Sequence, residues 1–331
     1  MIITRTPFRI SFVGGGSDLE EFYSQHRGAV LSTTINKYMY ISSHSFFEED
    51  KIRVKYSRTE TVSDINDLKH PILRVVLKKF DINGSLEISS NADIPSGTGL
   101  GSSSAFTVGL LHNLYAVSGS LVTKNKLARQ ACEIEINILK EPIGKQDQYA
   151  AAFGGLNIIE FLPTGKVNVE LIHLKKEIYE ALQNNLLMFY TGSQRQASTI
   201  LEEQKVNISS KSKFDVLKKM VDLVYELRDC LYREDLNYFG KILHKNWLLK
   251  QQLASKISNP RINKLYKKAI ENGAVGGKLV GAGGGGFLLF YCDEKNHKKL
   301  RSAMSPLKEL KFRFENEGTK LIYAGDEYEE R

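Results

Sequence analysis

The stretch Asp93 to Ala105, DIPSGTGLGSSSA, holds the residues whose types and spacing most clearly imply chemistry. Gly97, Gly99 and Gly101 remove alternate side chains, so backbone N–H groups can approach a ligand, and Ser102, Ser103 and Ser104 stand where a helix starts. A helix N-terminus carries about half a positive charge and several unpaired N–H donors, which suits a phosphate chain without any lysine. Pro95, Ser96, Thr98 and Leu100 complete the segment. Two better-known phosphate loops do not fit. A Walker A loop requires a Gly-Lys-Ser/Thr ending, yet no lysine occurs between Lys79 and Lys124, and the dinucleotide fingerprint requires a third glycine where Ser102 stands.

Candidate carboxylates and a cation lie elsewhere in the chain. In PFRISFVGGGSD, Phe8, Ile10 and Phe12 alternate with Arg9, Ser11 and Val13, so Arg9 points away from the apolar face. The strand runs into Gly14, Gly15, Gly16, Ser17 and Asp18, a flexible turn whose carboxylate either meets a ligand or caps the helix Leu19 to Tyr23. Along a helix starting near Thr123, Ala128, Cys132, Glu135 and Leu139 share one seam. A carboxylate on an apolar seam is unfavourable unless a cation or strong donors satisfy it, so Glu135 points to a metal or an arginine, or else reaches solvent at the seam edge. Asp147 opens a short alanine-rich helix closed by Gly154 and Gly155, either as its cap or as a reactive group. In KLVGAGGGGFLLFYC, four glycines from Gly283 to Gly286 separate two short strands, leaving room for a ligand or a neighbouring loop, or forming a bulged hairpin.

Around these residues the elements read as follows. A strand at Leu86, Ile88 and Ser90 precedes the glycine segment, and a helix through Phe106, Leu110, Leu111, Leu114 and Val117 follows it, stopping at Ser118-Gly119. Residues 29–43 and 51–56 read as strands, 64–80 as a helix, and 156–161 with 167–172 as a hairpin. After the polar stretch 175–185 comes a strand at 186–190, which places the domain boundary there, with units 1–183 and 184–331. Two long helices, 213–232 and 236–255, and a third at 261–272 precede the four glycines; a helix near 296–308 and strands near Phe312 and Leu321 close the chain.

Composition narrows the function classes. With 331 residues, 42% apolar and 25% charged, the chain is long enough for two folded domains. The first residues do not read as a signal peptide, and no apolar run approaches a membrane span. Three scattered cysteines suit a reducing compartment, so cytoplasm is expected. No His-x-x-x-His pair suggests zinc. The net charge of +8 is spread along the chain, which reads as a solvated surface with a field favourable to anionic substrates rather than a nucleic-acid site.

Taken together, PFRISFVGGGSD, IPSGTGLGSSSA, GKQDQYAAAFGG and GAGGGGF resemble the GHMP kinase superfamily, from Pro7 to Phe287. FRISFVGGGSD, GKQDQYAAAFGG and YTGSQRQAS look most like the D-glycero-D-manno-heptose 7-phosphate kinases within it. The resemblance implies an α+β fold in two domains, the first like ribosomal protein S5 domain 2 and the second ferredoxin-like, with the active site between them. It implies ATP and Mg²⁺, with residues 95–104 around the ATP phosphates and Ser103 and Glu135 on the metal, the three adjacent serines leaving that register open by one. It implies Asp147 as catalytic carboxylate paired with Arg9, and Asp18 at sugar hydroxyls. Galactokinases carry Glu-His where this chain has Gly15 and Gly16, so a larger or differently substituted sugar than galactose is implied.

The expected reaction is phosphorylation of the anomeric hydroxyl of the heptose 7-phosphate, feeding nucleotide-activated heptose for surface polysaccharide. Gly15, Gly16, Ser17, Asp18, Gly283 and Gly284 are expected at the sugar, with Lys37, Lys145 and Arg195 as candidates for its phosphate. Partners are then ATP and the sugar phosphate, with no membrane or nucleic acid, in a monomer or homodimer. The rivals are another sugar-1-kinase, such as a fucokinase, and a regulator that binds ATP and sugar without transfer.

Overall fold

The computed structural model describes residues 1–192 and 197–325. The chain starts with β1 (Ile2–Val13), α1 (Glu20–Tyr23), β2 (Gly28–Ser45), β3 (Ile52–Lys55), β4 (Thr59–Val62), α2 (Pro71–Lys79) and β5 (Leu86–Ala92). It continues through α3 (Ser102–Val117), α4 (Lys124–Cys132), α5 (Gln146–Phe153), β6 (Asn157–Phe161), β7 (Val167–Leu171) and α6 (Lys176–Asn184). Then follow β8 (Leu186–Tyr190), α7 (Ala197–Ile208), α8 (Lys211–Tyr232), α9 (Leu236–Lys250) and α10 (Pro260–Glu271). The last elements are β9 (Ala274–Leu279), β10 (Phe287–Cys292), α11 (His297–Met304), β11 (Lys308–Glu309), β12 (Phe314–Glu315) and β13 (Lys320–Ala324).

These strands form two sheets. The larger runs β13-β1-β2-β5-β3-β4, with β6, β7 and β12 joined through β2. The smaller is ordered β11-β8-β10-β9 and is antiparallel throughout, with helices between β8 and β9 and between β10 and β11. That order and connectivity make a ferredoxin-like unit. The alternation in β1 does not produce alternating exposure: every residue from Thr6 to Val13 is buried. Helices α3 and α5 pack on β1 and β2, and from the second half of the chain α8 packs on both strands and α9 on β1.

Two features tie the halves together. Phe12 of β1 meets Phe239 of α9 edge-on at 5.2 Å, and the buried Lys278 of β9 donates to the carbonyls of Ser11 (2.7 Å) and Phe12 (3.0 Å). Strands β12 and β13 return to β2 and β1, so the last residues complete the first sheet.

Several local expectations shift. The stretch 175–185 contains helix α6, and α7 has no counterpart in the sequence reading. Helix α2 begins at Pro71 because proline suits a first helical position, its missing N–H being unpaired there anyway.

Candidate active site

Helix α3 starts from Gly101, whose φ of 77° is a left-handed conformation that a side chain disfavours. No side chain caps this helix start, so the first-turn N–H groups of Ser102, Ser103 and Ser104 face the cleft. The cleft measures about 470 Å³ and is lined from both halves of the chain, by Gly97, Gly99 and the three serines on one side and by Lys250, Lys278 and Gly281 on the other. The two glycine segments touch backbone to backbone: a Cβ on Gly99 would lie 2.5 Å from the Val280 carbonyl oxygen, and one on Gly281 would lie 2.5 Å from Gly99 Cα. Within the four-glycine run itself, a Cβ on Gly286 would lie 2.3 Å from the Thr98 carbonyl oxygen, so this end of the run makes room for the neighbouring glycine loop.

Arg9 reaches the middle of this cleft from β1. Its Nε and Nη2 each donate to one oxygen of Asp147 at 2.7 Å, and Nη1 donates to the Gly99 carbonyl at 2.6 Å. Asp147 is therefore not the cap of α5; it lies in the first turn, held bidentately by a guanidinium. A Cβ on Gly101 would come within 3.2 Å of Asp147 Oδ2, so the helix start, the carboxylate and the arginine occupy one small volume.

Behind the serines lies Glu135, fully buried. The chain around it, Glu133 to Ile138, is π-helical rather than α-helical, so the seam counted at α-helical spacing does not describe its geometry, although Glu135 does face inward. Its Oε1 accepts from Ser103 Oγ and its Oε2 from Gln148 Nε2, both at 2.8 Å. Burial pushes its carboxyl pKa up, the charge of Asp147 adds to this, and the bonds from Ser103, Gln148 and Ser104 oppose it. Among the described residues no cation pairs with Glu135.

A buried carboxylate next to a serine hydroxyl, satisfied only by neutral donors, fits a hard cation such as Mg²⁺. No cluster of three or more His, Cys, Asp or Glu is found among the described residues. A site with few protein ligands suits an ion that takes its remaining ligands from phosphate and water.

Asp18 is buried and is not the cap of α1, a position held by Leu19. It instead accepts from the Gly16 N–H at 2.9 Å and the Gln146 N–H at 3.3 Å, the latter at the start of α5. Burial raises its pKa, with Asp147 adding to the effect and the backbone donors opposing it. Lys250, the last residue of α9, is also buried; it donates to the Gly281 carbonyl. Burial lowers its pKa to about 8, aided by Arg9 and opposed by Asp18 and Asp147. Burial likewise holds the Lys278 pKa well below the ordinary lysine value, with Lys250 and Arg9 adding.

Other expected site residues lie away from the cleft. Pro95 and Ser96 are exposed on the loop and Thr98 turns its hydroxyl to the Pro95 carbonyl, so none of the three lines the cleft; nor does buried Leu100, whose carbonyl accepts from the Arg9 N–H. The Ser17 hydroxyl is tied to Gly14 and Ala29. Lys145 donates to the Gly165 carbonyl and lies 4.3 Å over the Tyr23 ring, and Lys37 is outside the cleft lining. Gly283 and Gly284 pack on Ile257 and do not line the cleft, whereas their neighbours Gly281 and Ala282 do. Arg195 lies outside the described residues.

The sequence reading missed Gln146, Gln204, Lys250 and Lys278, and it used Ser11 only as a strand position; all five line the cleft. Lys250 was accessible to the same reasoning that found Glu135, since Leu243, Trp247 and Lys250 share the buried seam of α9.

Comparison with known proteins agrees with this geometry. Residues 67–155 match the GHMP kinases N terminal domain, and residues 227–307 match GHMP kinases C terminal. A D-glycero-alpha-D-manno-heptose 7-phosphate kinase from Campylobacter jejuni is 30% identical over 92% of this chain and 93% of its own. A galactokinase from Pyrococcus furiosus is 28% identical over 92% of each chain. The crystal structure of a D-glycero-D-manno-heptose 1-phosphate kinase from Bacteroides thetaiotaomicron superposes with a TM-score of 0.80, covering 98% of this chain and 100% of that one at 23% identity, a likeness of fold. The chain belongs to the GHMP kinase family and has its two-domain α+β fold. Within that family it is a sugar kinase, a phosphotransferase of a class that is ATP-dependent and normally uses Mg²⁺. No helix among the described residues is long and apolar enough to cross a membrane.

Proposed function

We propose that the protein transfers the γ-phosphoryl group of ATP to the anomeric hydroxyl of D-glycero-D-manno-heptose 7-phosphate, giving the 1,7-bisphosphate and ADP. The observation that carries this reading is the bidentate Arg9–Asp147 pair beside the uncapped start of α3, in a cleft between the two halves of the chain. Phosphoryl transfer passes through a loose transition state, so it needs positioning and charge stabilisation more than covalent chemistry.

The residues divide that work. N–H groups of the glycine segment and of Ser102 to Ser104 hold the triphosphate. Asp147 accepts the proton of the sugar hydroxyl as its oxygen bonds to the γ-phosphorus and the bond to the β,γ-bridging oxygen breaks. Arg9 fixes the orientation of that carboxylate through two of its donors and ties it to the Gly99 carbonyl through a third. Asp18, anchored by two backbone N–H groups, presents a fixed acceptor to a sugar hydroxyl. Ser103 and Glu135 would hold Mg²⁺, which when bound neutralises charge on the phosphate oxygens.

The heptose assignment is supported by the Campylobacter relative and by the vacated positions Gly15 and Gly16. Incubation with Mg-ATP and a panel of heptose and hexose phosphates, followed by ³¹P NMR, tests it. A new anomeric phosphate on the heptose 7-phosphate is expected. Preferential turnover of another sugar would overturn the substrate assignment, and no turnover of any sugar would overturn the kinase reading of this cleft.

A further inference from the structure

Gln148 follows Asp147 in α5, and consecutive helical side chains point about 100° apart, so the two neighbours address different groups. Asp147 turns to Arg9, while Gln148 is fully buried and gives its amide to Glu135 Oε2 at 2.8 Å. One turn of α5 thereby joins the carboxylate paired with Arg9 to the carboxylate beside Ser103. The other end of the same amide is unused: Gln148 Oε1 is buried without a hydrogen-bond partner among the described residues. Such an acceptor is unfavourable unless something that binds completes it.

Glu135 is fixed from several directions. The chain around it is wound as a π-helix, in which the Leu139 N–H reaches back five residues to the Ile134 carbonyl at 2.9 Å. Turns of this kind are rare and are found mostly at functional sites. The turn brings Glu135 inward, and two donors then decide how its carboxyl lies. Ser103 Oγ takes Oε1 at 2.8 Å, on the side of the α3 start, and Gln148 takes Oε2 from α5.

From these contacts we infer that Gln148 is a positioning residue for Mg²⁺: its amide holds Glu135 Oε2 so that Oε1 stays beside Ser103 as a cation ligand, and its own Oε1 accepts from a water on the cation. The chemistry of an amide suits both tasks. A lysine or arginine here would satisfy the same carboxylate but would also neutralise it and compete with a divalent cation, whereas a glutamine donates and leaves the negative charge in place. Waters on a hard cation are donors, and Mg²⁺ keeps several of them, which matches the unused acceptor.

This role rests on the reading of Ser103 and Glu135 as the metal pair, and one set of titrations separates the two. ATP affinity is measured by calorimetry over a series of free Mg²⁺ concentrations, with no sugar present. Wild type is compared with Gln148→Met, which offers no donor, with Gln148→Lys, which keeps a donor but adds a charge, with Glu135→Gln, and with Gln148→Met and Glu135→Gln combined. Both changes at position 148 are expected to weaken Mg²⁺ at least about tenfold. In Gln148→Met the ATP affinity without Mg²⁺ should stay within twofold of wild type. In the Glu135→Gln background the added Gln148→Met should cost less than twofold, because it acts through a carboxylate already removed.

Unchanged Mg²⁺ affinity in Gln148→Met would overturn the inference. So would a Gln148→Lys protein that binds Mg²⁺ like wild type, since a donor of any charge would then serve and the bond would be structural only; this variant decides alone if Gln148→Met does not fold. A Gln148→Met loss equally large with and without Glu135 would also overturn it, by placing the effect elsewhere. A wild type whose ATP affinity ignores Mg²⁺, or a Glu135→Gln protein that binds Mg²⁺ normally, would instead remove the metal pair itself, and this role with it.

Discussion

Arg9 and Asp147, far apart in sequence, meet through two parallel hydrogen bonds of 2.7 Å, while the third nitrogen of the same guanidinium holds the Gly99 carbonyl. One side chain thus sets the carboxylate and the glycine segment in register. Lysine keeps the charge but has no planar fork, so Arg9→Lys is expected to lower kcat by about a hundredfold and to destabilise the fold by about 1–3 kcal/mol. Steady-state kinetics and denaturant unfolding check both numbers; a kcat within threefold of wild type would remove the orienting role.

Glu135 offers a test that needs no sugar. Its pKa is raised in the fold, so between the unfolded value of 4.5 and the folded one the native state holds a proton that the unfolded chain lacks. Stability of the metal-free protein therefore falls as pH rises across that window, and the penalty remains at neutral pH. Glu135→Gln is expected to abolish this fall, to leave the metal-free protein at least as stable at pH 7, and to weaken Mg²⁺ binding at least about tenfold. Thermal melts across pH, with and without Mg²⁺, read all three. A metal-free variant markedly less stable than wild type at pH 7, with Mg²⁺ affinity unchanged, would contradict the assignment.

Lys250 carries the opposite sign. With a folded pKa of about 8 against 10.5, the unfolded chain binds the extra proton between those values, so stability rises with pH over that interval; below it the full cost of the buried ammonium is present and constant with pH. Facing it are Arg9, Asp18 and Asp147, and Lys278 from β9, all of which the comparison leaves in place. As the ammonium is lost above about pH 8, the sugar KM of the wild type is expected to climb by about three- to tenfold, a charged donor being the stronger one. In Lys250→Met the climb should be absent. An identical pH profile in the two proteins would show that Lys250 does not titrate against the sugar.

The contact between the two glycine segments is testable with a matched control. Gly99 has a φ of 86°, and a Cβ there would lie 2.5 Å from the Val280 carbonyl oxygen; Gly119 has a φ of 64° with nothing within 4 Å. Both alanine variants carry the left-handed penalty of about 1–2 kcal/mol. Only Gly99→Ala should lose more stability than that and weaken ATP binding at least about tenfold, read by calorimetry and thermal melts. Equal effects at the two positions would mean that the interlock does not shape the nucleotide site.

The legible part of the site was the part that obeys local rules. Gly97 to Ser104 announces a strand-to-helix turn by composition and Glu135 announces itself as a charge on an apolar seam, whereas Arg9 read only as a strand residue facing away from the apolar face and its pairing with Asp147 came from the family resemblance. The capping alternatives for Asp18 and Asp147 were equally good locally, and it takes the long-range partners, Gln146 for one and Arg9 for the other, to decide against them. The π-turn at Glu133 to Ile138 was not legible, because α-helical spacing predicts much the same inward residue. The return of β12 and β13 to the first sheet, and the carbonyls that Lys278 finds on β1, depend on contacts spanning most of the chain, which no window of sequence contains.

Asp147 carries the central claim, since every other role is defined by its distance from that carboxylate. The direct measurement is kcat of Asp147→Asn with Mg-ATP and the heptose 7-phosphate, alongside its calorimetric affinity for Mg-ATP. A fall in kcat of at least about a hundredfold with nucleotide affinity close to wild type is predicted. A kcat within a few-fold of the wild type would contradict the account, because the asparagine would then perform a proton acceptance for which it has no carboxylate.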